Sequence, residues 1–197
     1  MEVDINWFAI LGFAFGLAAV LRWIYQDIAG YASKPRLVIS HGPFAINWQS
    51  IDTEETRRYI HFEVTSKKGI ARHCLAQVTI LDHPPEVTIL QRELPLHWAD
   101  TPYGAMNTET EPVDIRTEAK RLDIAFSSSN HTGMSWLATP LALASPNKVP
   151  QATIPPGEYT LEITVSCENG RGDTKIIKLI SLPDWQELRA EPITPVD

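Results

Sequence analysis

A chain of 197 residues carrying a net charge of −7 can hold one domain with its own core, but not two comfortable ones once an apolar N-terminal run is set aside. Residues 1 to 36 contain three basic and three acidic side chains, so the acidic excess belongs to the remainder, which argues against a nucleic-acid partner and against a polybasic grip on anionic lipid. Fifteen prolines, concentrated in the second half, and few long helical patterns argue against an all-α domain.

Trp7 to Tyr25 (WFAILGFAFGLAAVLRWIY) is a nearly uninterrupted apolar run of about 19 residues, the length a helix rising ~1.5 Å per residue needs to cross a ~30 Å hydrocarbon layer. It is read as a single-pass transmembrane anchor, residues 1–26, followed by a juxtamembrane linker, 27–35. Trp7, Trp23 and Tyr25 place aromatic rings at the headgroup level, and Arg22 is near enough to the end to snorkel. A buried core helix would show a polar face, yet Phe8 to Leu21 holds no charge and no amide. A secretory signal would open with basic residues, whereas Glu2 and Asp4 precede this run; Gly30-Tyr31-Ala32 would pass as a cleavage site. Arg22, Lys34 and Arg36 lie on the C-terminal side, which favours a cytoplasmic soluble domain. Gly12 and Gly16, four apart, offer a close-packing face for another membrane helix.

Beyond residue 36 the pattern has period two. Leu37 to Ile39 reads as a first short strand, and Phe44 to Trp48 as an extended piece packing Trp48 on the domain's edge. Ile60, Phe62 and Val64 share one face of the next strand; Cys74, Ala76, Val78 and Ile80 share one face of the strand from Ile70 to Leu81. Two short pieces follow, Val87 to Leu90 and Leu94 to Trp98, then a polar loop over 101–118 and a strand through Leu122, Ile124 and Phe126. Tyr159, Leu161, Ile163, Val165 and Cys167 form the clearest alternation, and Asn169-Gly170 turns the chain into a returning strand, Thr174 to Ser181. About seven strands joined by hairpin-like turns, without helical crossovers, predict an all-β antiparallel sandwich over 36–183 and a tail over 184–197.

The segments FEVTSKKGIARHCLAQVTI (Phe62 to Ile80) and IPPGEYTLEITVSCENGRGDTKIIKLI (Ile154 to Ile180) resemble the immunoglobulin-like sandwich domains of prokaryotic surface and membrane proteins, in particular the CARDB type. The turn Ser66-Lys67-Lys68-Gly69 departs from that pattern by lacking the Asn-x-Gly often found there. The likeness implies an immunoglobulin-like core serving as a spacer, adhesive module or accessory domain, and is silent on activity.

Few residues suggest chemistry. Cys74 and Cys167 both fall on inward parities of neighbouring strands, and read as free thiols in a reducing compartment or as a pair in an oxidising one. His83, His97 and Asp100 lie near breaks in the chain but lack zinc-motif spacing, so a metal-dependent hydrolase is the least supported class. Glu54, Glu55 and the acidic residues from Glu109 to Asp114 read as solvated loop charges. Arg171-Gly172-Asp173 at a hairpin tip matches an integrin-ligand tripeptide that turn chemistry alone would also produce, and Asn130-His131-Thr132 matches a glycosylation acceptor.

The excursion from Ser127 to Pro155 is long, and Met134 to Leu143 within it is apolar. Its side chains either cap the end of the sandwich or form an exposed docking patch. The expectation is a membrane-held binding or assembly module without catalysis, cofactor, metal, nucleic acid or small-molecule substrate, engaging a protein partner at the membrane. Its contact residues would be Trp136, Leu137, Leu141 and Leu143, with Trp98 and Tyr103 beside them. The alternative is a structural accessory subunit of a larger membrane complex, held mainly through its transmembrane helix.

Overall fold

The computed structural model describes residues 17, 20–26, 29–30, 33–40, 42–49, 54–101 and 111–193. The chain divides into two units, Met1–Lys34 and Pro35–Asp197. In the first, residues 17, 20–26, 29–30 and 33 are helical, and Leu17, Val20, Leu21, Trp23, Ile24 and Tyr25 are exposed. Among the described residues no helix is long and apolar enough to cross a membrane. Residues 7–16, 18 and 19 of the expected anchor, with Gly12 and Gly16, lie outside the described residues.

The second unit is all-β, with two antiparallel sheets and a shared core, an arrangement compatible with a sandwich. The first sheet runs β1 (Leu37–Ile39), β3 (Thr56–Ser66), β8 (Lys120–Ser128), β9 (His131–Leu137) and β10 (Thr153–Ile154). In the same sheet β2 (Phe44–Gln49) lies beside β3, and β6 (His97–Trp98) beside β8. The second runs β13 (Arg189–Pro192), β12 (Asp173–Ser181), β11 (Gly157–Ser166), β4 (Ala71–Asp82) and β5 (Glu93–Pro95), with β7 (Val113–Ile115) also against β4.

Alternation dictates this core. Phe62 and Val64 from β3 meet Ala76, Val78 and Ile80 from β4, while Leu161, Ile163 and Val165 from β11 and Ile177 and Leu179 from β12 complete the cluster. The turn between β3 and β4 puts Gly69 at φ +63°, a left-handed conformation that glycine adopts at little cost. Thirteen strands among the described residues replace the predicted seven, because several run only two to four residues, too short for alternation to register.

Several elements differ from the sequence reading: the expected polar loop over 101–118 contains β7, and residues 87–90, expected to be extended, form no strand. The expected tail contributes β13, paired with β12 through Ile177↔Pro192 to Ile180↔Arg189. The expected Ser127–Pro155 excursion is mostly ordered structure. It holds the end of β8, all of β9, a five-residue helix at Pro140–Ala144 capped by Thr139, two 3-10 turns and β10.

Candidate binding surfaces

β9 carries Trp136 and Leu137 into the interior, each 1% exposed; Leu143 and Trp98 are likewise buried, and Leu141 alone is partly exposed against the core. Four of the six predicted contact residues therefore present no surface in the folded domain. The capping alternative describes them: apolar side chains in an ordered segment gain more from burial than from water. Tyr103, the sixth, lies outside the described residues.

What Trp136 joins is an aromatic row on the outward side of the first sheet. The registers Ile46↔Tyr59, Tyr59↔Phe126 and Phe126↔Trp136 align β2, β3, β8 and β9. Tyr59 and Phe126 stack with centroids 5.7 Å apart, Phe126 and Trp136 at 5.5 Å, and His131 meets Trp136 edge-on at 5.4 Å. The Arg57 guanidinium sits 5.3 Å above the Phe126 ring.

Arg57 also closes a buried ion pair. Its Nε and Nη2 donate to the two oxygens of Glu55 at 3.0 Å each, its Nη1 donates to the Leu143 carbonyl, and Ser128 Oγ donates to Glu55 Oε1. Burial alone would push the Glu55 carboxyl up; the Arg57 and Ser128 hydrogen bonds, with the charges of Arg57 and His131, outweigh it and hold the group below the usual carboxylate range. Glu55 is thus a structural charge, not the solvated loop acid the sequence suggested. A sign of it was the spacing of Glu55 and Arg57, two apart, which puts both on one side of an extended chain at the entry to β3. A groove of about 250 Å³ opens over this pair, between His131, Asn147 and Lys148.

A second buried polar row crosses the same face, where His61, Asp123 and His97 oppose one another across β3, β8 and β6. His97 Nδ1 is 4.0 Å from Asp123 Oδ2, and Arg121 Nε is 3.1 Å from Asp123 Oδ1 at an angle too poor for a hydrogen bond. His97 Nε2 is held by Thr101 through its carbonyl and hydroxyl oxygens. Burial, followed by the Arg121 charge, pushes the His61 imidazole below its ordinary range against the pull of Asp123 and Glu63. His83 and Asp100 stand apart, His83 bonded to the Pro84 carbonyl and Asp100 paired with Lys120. Among the described residues no group of three His, Cys, Asp or Glu side chains is arranged to hold a metal ion.

The exposed apolar surface lies elsewhere. Phe44, Ile46 and Trp48 point to one side of β2 and are 48%, 40% and 50% exposed. They continue outward the rows begun by His61, Tyr59 and Arg57. Trp48 does not pack down as expected: among the described residues β2 pairs only with β3, and Trp48 stays half exposed. The sequence signal for this surface was the alternation within FAINW, read as an extended piece that packs Trp48 on the domain's edge. No family model, curated protein or solved structure matches the chain.

Proposed function

We propose that this protein is a membrane-held, immunoglobulin-like binding module that receives an extended segment of a protein partner on the open edge of β2. The observation that carries this reading is the state of that edge. The segment FAINWQ contains no charge and no proline, its outer backbone edge pairs with no described strand, and Phe44, Ile46 and Trp48 stand exposed along one side. Edges that must stay unpaired usually carry lysine, proline or a bulge. An edge without them suits strand addition, in which main-chain hydrogen bonds supply affinity and alternate side-chain pockets supply selectivity.

The immunoglobulin-like assignment draws support from strand order. β3 beside β8 in one sheet, with β4, β11 and β12 adjacent in the other, follows the B–E and C–F–G arrangement of such domains. Tyr159 near the start of β11 donates from its hydroxyl to the Pro155 carbonyl four residues upstream at 2.9 Å, as a tyrosine corner does. The membrane assignment rests on the apolar run from Trp7 to Tyr25, whose described side chains are exposed. Arg22, Lys34 and Arg36 favour a cytoplasmic domain. Anchoring raises the module's effective concentration toward a partner in the same bilayer.

The test is site-specific photocrosslinking of the full-length chain in membranes, from position 46 on β2 and from position 75, where exposed Leu75 lies on the other sheet. A discrete protein adduct from 46, absent from 75 and lost in Phe44→Lys/Trp48→Lys, supports the reading. Equal labelling from both positions, or an adduct that survives the double substitution in a folded chain, overturns it.

A further inference from the structure

Opposite the β2 edge in chemistry and on the other sheet, the two cysteines face each other. The β4–β11 register ends at Ser166↔Leu75, and the next opposed positions are Cys167 and Cys74. Pairing continues past them, since Glu168 N donates to Arg72 O at 3.1 Å. Opposed residues of antiparallel strands have Cα atoms ~4.5–5.5 Å apart, inside the ~4.4–6.8 Å window a disulfide accepts. Both thiols are free in this structure.

Their surroundings differ. Cys74 is fully buried, its thiol donating to the Ala71 carbonyl at 3.4 Å. Cys167 is partly exposed and lines a groove of about 440 Å³ with His73, Leu75, Pro112, Ser166 and Glu168. His73 sits in the left-handed region at φ +49°, where β4 bulges, and is held there by two carboxylates. Asp114 Oδ1 accepts from its backbone N–H at 3.0 Å, and Glu168 Oε2 lies 2.7 Å from its Nδ1. The bulge carries His73 to the rim of the groove while Cys74 stays inside.

We propose that Cys74 and Cys167 are a reversible dithiol/disulfide site, in which Cys167 reacts first with a disulfide-bearing oxidant entering the groove and Cys74 resolves the product. The Cys167 thiolate attacks one sulfur of the oxidant and expels the other as a thiolate, giving a mixed disulfide. Cys74 then loses its proton, attacks Cys167 Sγ and expels the second thiolate. The protein loses two electrons and two protons, and the oxidant's disulfide gains the electrons to become two thiols.

The order of attack follows from access and stabilisation. Burial pushes Cys74 up to about 12. Burial raises Cys167 as well, but backbone N–H groups of Gly170 and Asn169 and the Cys74 thiol work against that rise. The groove admits an oxidant to Cys167 and not to Cys74. Because both thiols are protonated at neutral pH, oxidation is slow there and accelerates about tenfold per pH unit while the thiolate fraction limits it.

The experiment uses the full-length chain in detergent, treated with oxidised glutathione, acid-quenched, unfolded and alkylated with N-ethylmaleimide before intact-mass measurement. The expected wild-type product has lost both alkylation sites, retains no glutathione and recovers both sites with excess dithiothreitol. Cys74→Ala, or Cys74→Val if the smaller side chain loosens the core, should stop at one glutathione on Cys167. Cys167→Ala should take up none. The proposal fails if wild type keeps two alkylatable thiols, if it stops as a mixed disulfide with Cys74 still alkylatable, or if Cys167→Ala is modified as fast as Cys74→Ala.

Discussion

Ser128 Oγ donates a 2.5 Å hydrogen bond to Glu55 Oε1, the same oxygen that accepts from Arg57 Nε. The two side chains of this ion pair are 11% and 13% exposed, so solvent screens them little. Glu55→Gln leaves Arg57 buried without a counter-charge, which should cost about 3 kcal/mol at neutral pH. The sign with pH is set by the depressed carboxyl. Its contribution is whole above the unfolded value of roughly 4.3 and is lost as pH falls through the lower folded value. Denaturant midpoints at neutral pH and near pH 4 should therefore differ more in wild type than in Glu55→Gln. A variant as stable as wild type at neutral pH would remove the pair from the list of what holds this face together.

His61 opens a second acid window, nearer neutrality. Its folded imidazole is held below the unfolded value of roughly 6.5, first by burial. Between the two values the unfolded chain binds the extra proton, so stability falls as pH drops below about 6.5 and levels off beneath the folded value. His61→Phe should keep the Phe44 ring contact, now 5.7 Å between centroids, and erase that slope. Urea midpoints at pH 8 and pH 5.5 compare the two. A slope that persists in His61→Phe would assign the window to another histidine.

Trp136 and Leu141 test whether the apolar excursion is core or surface. Trp136→Ala empties a site that stacks on Phe126 and meets His131 edge-on, and should cost about 3–5 kcal/mol. Adding Leu137→Ser should take most of a domain's usual ~5–15 kcal/mol and abolish cooperative unfolding. Leu141→Ser, at a partly exposed position, should cost roughly 1 kcal/mol. Near-equal midpoints for Trp136→Ala and Leu141→Ser would contradict the burial that separates them.

The long strands were readable because each buries one face: β3, β4, β11 and β12 follow the alternation of Phe62, Val78, Ile163 and Leu179. The outward side of the first sheet was not readable. Tyr59, His61, Asp123 and Glu55 alternate like solvent-facing residues, yet the folded domain covers all four. That cover is a tertiary event, and period two cannot distinguish a polar residue facing water from one facing a lid. β2 shows the converse error. Trp48 reads as packed on the domain's edge, but it is half exposed on a strand that pairs, among the described residues, with β3 alone. The thiol pair was foreseen as neighbours because antiparallel pairing fixes which ends meet; the bulge at His73 that exposes one side of it leaves no trace in residue type.

Arg171-Gly172-Asp173 is explained by packing, and that explanation can be broken. Asp173 Oδ2 accepts from Ile39 N at 2.8 Å and its Oδ1 accepts from Thr174 N at 3.0 Å, so the carboxylate ties β12 to β1 instead of facing outward. A Cβ on Gly172 would run into the Val165 carbonyl, and one on Gly170 into the Pro35 carbonyl. Both obstacles are backbone, which cannot swing aside as a side chain can. Gly172→Ala and Gly170→Ala should each cost about 1–3 kcal/mol through the forced shift, and Asp173→Ala a similar amount by leaving the Ile39 N–H without its acceptor. Gly42→Ala is the control, since a Cβ there meets nothing within 4 Å, and should stay within about 0.5 kcal/mol of wild type. If Gly172→Ala and Asp173→Ala unfold with Gly42→Ala and wild type, the tripeptide is not needed by the hairpin, and a display role for it would have to be reconsidered.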